Sequence, residues 1–273
     1  MALMGAMTAL SACRSPILED RTACPAYLFF EFTDRQSLGD PESIHVEAVE
    51  MDDGAVLNAS TTTIGEMADG TFYLPIHKCN TAGVFGMAGY DRSRTEGASH
   101  WVIPKGEDGD RLYHFQSRLE ATAETAVVPV EMTKEHCRIT VRFKRPDSDT
   151  TGVFPFSVVA TSNTCGTDIR DGAPVPGDYR YAPEETEEGV FRFTVPRQGD
   201  HSLSLEIWSK PDSAHQAEHM DDLVLWDYLE QMEGFDWNLK NLPDLTVEID
   251  WFQSEITLFI NDWGIGISTT YEI

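Results

Sequence analysis

Residues His136 to Lys144 alternate without a break: Cys137, Ile139, Val141 and Phe143 are apolar, and Arg138, Thr140, Arg142 and Lys144 stand between them. Successive side chains of an extended strand point to opposite faces, so this period of two makes one face for a core and one for water. A helix would scatter both sets around its circumference. Ser43 to Met51 follows the same logic, with Ile44, Val46, Ala48 and Met51 set against His45, Glu47 and Glu50, and it stops at the turn Asp52-Asp53-Gly54. Further short runs end at Gly, Asp, Asn or Pro: Tyr27 to Thr33, Ala55 to Thr63, Thr71 to His77, Val84 to Tyr90, His100 to Pro104, Arg111 to Phe115 and Thr125 to Glu131. After the alternating run come Val153 to Thr161, Gly189 to Pro196, His201 to Ser209, Leu245 to Trp251, Ile256 to Asn261 and Ile265 to Ile273. Many short strands with almost no intervening helix predict an all-β chain built from β-sandwiches.

A chain of 273 residues with 41% hydrophobic content can bury two ordinary cores. The polar joint Met132 to Glu135 separates two groups of strands, so the domains are expected at residues 24–132 and 133–273. The formal net charge of -26 repels phosphate backbones, which excludes nucleic acid as a partner.

One segment departs from the β pattern. Asp221 to Glu233 spaces Leu223, Trp226, Leu229 and Met232 as a helix would, opens on two acids and stops at Gly234, which predicts one amphipathic helix in the second domain. Just ahead of it, His215-Gln216-Ala217-Glu218-His219 has the spacing of an inverted zinc-peptidase motif. It lacks the apolar residues that would bury such a helix, so it reads as a solvated stretch and no metal is assigned. Gly83, Gly86 and Gly89 precede no helix that could receive a phosphate, and close strand packing explains them better. The run Glu184 to Glu188, broken by Thr186, reads as a solvated hairpin tip. Trp226, Trp237, Trp251 and Trp263 crowd the C-terminal region, where they are either core or a platform for a glycan ligand. No Gly-x-Ser-x-Gly, Walker loop or catalytic Cys/His spacing is present, so no cofactor is assigned, while a carboxylate pair for glycoside hydrolysis stays open in so acidic a chain.

The beginning of the chain carries targeting information. Met1 to Ala12 is small and apolar and ends in Leu10-Ser11-Ala12-Cys13, the kind of tetrapeptide cleaved before a lipidated cysteine. Residues 1–12 are therefore read as the remnant of a signal peptide whose basic start lies upstream, Cys13 as the lipidation site and residues 13–23 as a tether. Cys24, Cys79, Cys137 and Cys165 remain, and an even set in an exported chain permits three disulfide pairings. Cys24 with Cys79 and Cys137 with Cys165 is preferred, because each pair then stays within one domain.

Four features, in order along the chain, carry a family resemblance: the lipobox at Cys13, the pair Cys24-Pro25 leading into an aromatic first strand, the joint Val127-Val128-Pro129-Val130-Glu131-Met132 followed by the strand from Cys137 to Phe143, and Ile260-Asn261-Asp262-Trp263. The sequence resembles the FimB-like, minor-fimbrium-anchor family of Bacteroidales lipoproteins. That resemblance implies two tandem transthyretin-like (Ig-like) β-sandwich domains. It also implies a lipid-anchored, non-catalytic protein of the outer membrane, exposed at the cell surface, that anchors a fimbrial shaft or limits its length. Partners would be fimbrial shaft subunits, joined by addition of a β-strand to an open sheet edge. The alternative is a surface adhesin for a host protein or glycan. Within the last strand, Ile265, Ile267, Thr269, Tyr271 and Ile273 occupy alternate positions, which suits a donor strand and equally a strand completing its own sheet.

Overall fold

The computed structural model of the chain describes residues 24–33, 43–97, 99–144, 155–211, 215–251, 253–262 and 265–272. In chain order the first elements are β1 (Pro25–Phe32), β2 (Ser43–Glu50), β3 (Val56–Thr63), α1 (Ile64–Ala68), β4 (Leu74–His77), β5 (Cys79–Ala88), β6 (Arg94–Glu96), β7 (His100–Val102), β8 (Tyr113–Ala121), β9 (Thr125–Val130) and β10 (Thr133–Lys134). There follow β11 (His136–Phe143), β12 (Phe156–Asp168), β13 (Pro174–Tyr181), β14 (Glu185–Glu187), β15 (Val190–Pro196), β16 (Ser204–Ser209), β17 (His219–Val224), α2 (Leu225–Leu229), β18 (Asp244–Asp250), β19 (Glu255–Asp262) and β20 (Ile265–Glu272). The architecture is all-β, as the alternation predicts, with two helices of five residues each among the described residues.

Two compact units divide the chain. Of the described residues, those in 24–33, 43–86 and 116–131 form the first, and those in 87–115 and 132–272 form the second. The expected split at 132/133 is thus corrected in one respect: residues 87–115 belong with the C-terminal half. The cause lies in the hairpin β6-β7, whose His100, Trp101 and Val102 pair antiparallel with Asp168, Thr167 and Gly166 of β12. Gly89 starts this excursion at φ +81°, and a Cβ there would run into the carbonyl of Arg111.

In the first unit, β4-β1-β9 form one sheet, and β2, β3, β5 and β8 belong to another in the order β10-β8-β5-β2-β3. Ala26, Leu28 and Phe30 of β1 and Ile44, Val46 and Ala48 of β2 are buried, which is the inward set that the period of two marks out. The helix α1 is fixed by a capping box: Thr63 Oγ1 accepts from the Glu66 amide at 3.1 Å, and Glu66 Oε2 accepts from the Thr63 amide at 3.2 Å.

The second unit holds a sheet of order β14-β15-β11-β18-β19-β20 and another of order β17-β16-β12-β7-β6, with β13 paired to β12. Cys137, Ile139, Val141 and Phe143 of β11 enter one continuous core with Phe191 and Phe193 of β15, Leu205 and Ile207 of β16, and Leu245, Val247 and Ile249 of β18. Each large side chain so buried contributes about 1.5–3 kcal/mol, and that contribution makes the register of β11 costly to shift. The predicted helix over Asp221 to Glu233 is corrected: His219–Val224 is an edge strand against β16, and the helix is confined to Leu225–Leu229. Strand pairing from Leu223 to Leu205 and Asp222 to Glu206 satisfies the backbone that a longer helix would have used.

Candidate subunit-pairing edge

The C-terminal strands build the sheet edge that the sequence singles out as a candidate for strand pairing. Asp244 opens β18 and ties it to β11: its Oδ1 accepts from Lys134 Nζ at 2.6 Å and from the Arg138 amide at 3.0 Å, and its Oδ2 accepts from Arg138 Nε at 2.6 Å. Burial pushes the Asp244 carboxyl up, but the hydrogen bonds from Arg138 and Lys134 outweigh it and hold the group below the usual carboxylate range. Beside it the Cys137 thiol donates to the Pro243 carbonyl at 3.3 Å. Pairing of β11 with β18 is parallel, Ile139 opposite Leu245 through Phe143 opposite Ile249, and these ties set its register.

From β18 the sheet grows by two antiparallel steps. Val247 lies opposite Leu258 in β19, and Leu258 lies opposite Thr269 in β20. Ile267 and Tyr271 of β20 are registered on Ile260 and Ile256, both buried, while Ile265 is registered on Asp262. In this structure β20 pairs with β19 from Ile265 to Glu272. It is also the last strand of that sheet, and among the described residues nothing pairs with its other edge. Such an edge presents a row of backbone donors and acceptors to an incoming strand. Ile273 lies outside the described residues, as does Cys13.

A buried polar cluster underlies β11 in this unit, and the sequence gives little sign of it. Arg197 Nε donates to Glu135 Oε2 at 2.6 Å, Nη2 donates to the carbonyls of Lys134 at 2.6 Å and Leu239 at 2.9 Å, and Nη1 donates to the carbonyl of Trp237. Burial pushes the Glu135 carboxyl up, opposed by Arg197. Next to it His136 donates from Nδ1 to the Leu112 carbonyl at 2.9 Å, and burial lowers its pKa to about 3, so the ring is neutral. The stretch Met132 to Glu135, expected as a polar joint, is in fact the anchor of β11. Its polarity signals a buried network and not a solvated linker.

The expected disulfides Cys24–Cys79 and Cys137–Cys165 are not formed in the structure. Pairing of β1 with β4 sets Pro25 against His77, and the Lys78 amide donates to the Cys24 carbonyl at 3.1 Å. Cys79 therefore falls one position past the residue opposite Cys24, which turns its side chain to the other face. Cys137 and Cys165 lie in strands of different sheets, and the Cys137 thiol is engaged with Pro243. Burial pushes the Cys79, Cys137 and Cys165 thiols up.

The other sequence candidates find structural places. His215 and Glu218 lie outside any helix or strand, and His219 begins β17 and bonds to Asp222 at 2.8 Å through Nε2. The helix that the zinc-peptidase spacing requires is absent there. Trp237 is 5% exposed, flanked by Trp226 at 6.3 Å between ring centroids and by Phe235 at 5.1 Å. His201 stacks on Trp226 at 4.1 Å, and Trp251 packs on Phe156 at 5.1 Å. Three of the four tryptophans thus serve packing, and Trp263 lies outside the described residues. Gly83 permits close approach of Phe85 and Met51, whose atoms would lie 2.8 and 2.5 Å from a Cβ there.

No sequence family matches the chain, and no curated protein matches it by sequence. Solved structures do. The fimbrial anchor protein Mfa2 from Porphyromonas gingivalis superposes with a TM-score of 0.63 at 13% identity, covering 88% of this chain and 98% of that one. The chain has the fold of a fimbrial anchor. A candidate adhesin from Bacteroides ovatus gives a TM-score of 0.63 at 11% identity, covering 89% and 96% of the two chains. A candidate polysaccharide-binding protein from Bacteroides thetaiotaomicron gives 0.63 at 12% identity, covering 92% and 98%. Each of these matches spans nearly the whole of both proteins, so the shared fold includes both units and not one sandwich alone.

Proposed function

We propose that the protein is a non-catalytic, lipid-anchored component of a fimbrial system, held at the outer membrane through Cys13 and joined to a shaft subunit by β-strand addition. The fold shared with Mfa2 over nearly the full length of both chains supports this most directly. The free edge of β20 supplies the physical means, because main-chain pairing gives affinity and alternate side-chain positions set register. In this role the protein ties the shaft to the cell or limits its length. A Cys13→Ala variant of the full-length gene product is expected to move from the membrane fraction to the soluble fraction. Unchanged membrane association would reject the lipoprotein assignment.

A second reading, a surface adhesin for a host protein or glycan, is favoured by the described roles of other proteins of the same fold. Trp237 is buried and Trp226 and Trp251 are half-buried against the core, which weighs against an aromatic glycan platform built on those three. Binding to a glycan array that is unaffected by blocking β20 would favour the adhesin.

A further inference from the structure

Among the described residues, the first unit presents an apolar face that is partly open to solvent. In β1, Ala26, Leu28 and Phe30 point into the core, so Tyr27 and Phe29 point outward. The register sets Pro75 of β4 and Thr125 of β9 beside Tyr27, and Val127 beside Phe29. Tyr73 closes the patch, with its ring 5.4 Å from Tyr27 edge-on and 5.9 Å from Phe29. Tyr73 is 48% exposed and Val127 58% exposed. Charge is kept to the margins: Glu31, opposite Pro129, marks one end, and Glu124, whose carbonyl accepts from the Tyr27 amide, marks the other. An exposed apolar patch rimmed by polar groups is a contact surface awaiting an occupant.

Three observations select that occupant. The described chain enters this sheet at its central strand, and ten residues separate Cys13 from Cys24, a tether of at most about 40 Å. Anything attached to Cys13 is thereby kept within reach of this face. The chemistry is also apt, since tyrosine rings favour the boundary between hydrocarbon and water, with Phe, Val and Pro beside them. Finally, a net charge of -26 disfavours anionic headgroups, so a contact with lipid falls to apolar side chains such as these and favours a neutral surface. We infer that the face formed by Tyr27, Phe29, Tyr73 and Val127 seats the first unit on the neutral lipid surface to which Cys13 is tied. The inference rests on the lipoprotein reading of Cys13. It adds a second, reversible contact that limits how freely the unit swings on its tether.

The test supplies the tether independently of acylation. The full chain carries an N-terminal hexahistidine tag and is held on phosphatidylcholine vesicles doped with nickel-chelating lipid. In a chain whose Cys13 and Cys24 are replaced by Ser, an environment-sensitive fluorophore is placed at Val127→Cys, or for comparison at Arg118→Cys, an exposed position of β8 in the other sheet of this unit. On vesicles, iodide quenching of the label at 127 is expected to fall at least threefold relative to solution, while the label at 118 stays as accessible as before. Adding Tyr73→Glu and Phe29→Glu should restore quenching at 127. Equal quenching of the two labels on vesicles would overturn the inference. Shielding of position 127 that grows with protein concentration without vesicles would also overturn it, by giving the face to a second copy. Acylation of Cys13 is scored separately by mass spectrometry and by the Cys13→Ala fractionation, so loss of one reading is distinguishable from loss of the other.

Discussion

Replacing Arg197 with Met should cripple the second unit without touching its apolar core. The guanidinium is 9% exposed and the Glu135 side chain 3% exposed, so the substitution strands a carboxylate that water cannot reach. Removing one partner of a buried ion pair costs about 3–5 kcal/mol. The carbonyls of Lys134, Trp237 and Leu239 lose a donor at the same time, but these losses share one group and do not simply add. For a unit of this size the loss corresponds to a fall in melting temperature of roughly 6–20 °C. All six tryptophans fall within the residues of the second unit, so urea unfolding followed by tryptophan fluorescence reads that unit. The deficit should also depend on pH. Burial raises the Glu135 carboxyl in the folded state, and without Arg197 nothing opposes it, so a proton is taken up more readily. The raised pKa means that stability is gained as pH falls, and the variant should recover part of its loss in mild acid. A double variant with Glu135→Leu should recover most of it at neutral pH. A loss below about 1 kcal/mol, or a double variant no better than the single, would refute the reasoning.

His136, with its folded pKa lowered to about 3 from 6.5, contributes stability that is present above pH 6.5 and lost as pH falls toward 3. The stability of the native protein should therefore fall more steeply than that of a His136→Gln variant between pH 6 and 4, by about 1.4 kcal/mol per pH unit, as chemical denaturation at each pH will show. Cys137, fully buried with its thiol bonded to Pro243 and its ionisation suppressed, should resist iodoacetamide in the native protein at pH 8 and react in urea, which peptide mass spectrometry reads. Asp244→Asn should loosen the start of β18, costing about 1–3 kcal/mol and raising hydrogen exchange along β18 and β19 ahead of the rest of the sheet.

Much of this architecture is legible from residue order, for a definable reason. Where one sheet face meets a core and the other meets water, as in β11, the period of two is written in the sequence and the strand can be read directly. Where a strand lies at an edge or at a joint, that pattern fades. His219–Val224 is exposed over most of its length, and its two aspartates resemble a helix start. The apparent helical spacing of Leu223, Trp226, Leu229 and Met232 is the overlap of a strand end, one helical turn and a bend. The three-residue strands β6 and β7 are too short to show any period, so the assignment of residues 87–115 to the second unit had no local signal. In β13, Pro174, Pro176 and Gly177 disguise a strand whose glycine makes room for the Cys165 side chain. The capping box Thr63-Ile64-Gly65-Glu66 was readable, but five residues of helix left no apolar stripe to draw attention to it. As for the pairing site, the alternation in β20 marks a strand, yet only the sheet order distinguishes a terminal strand from an internal one.

The edge of β20 is where a fimbrial function stands or falls. A photo-crosslinking residue placed at Ser268 of β20, in the full-length protein in its own cell envelope, tests it directly. The predicted result is a covalent adduct with a fimbrial shaft subunit, absent when the same residue is placed at Arg118 in the first unit. Efficient activation with no adduct, or adducts equal at both positions, would contradict it.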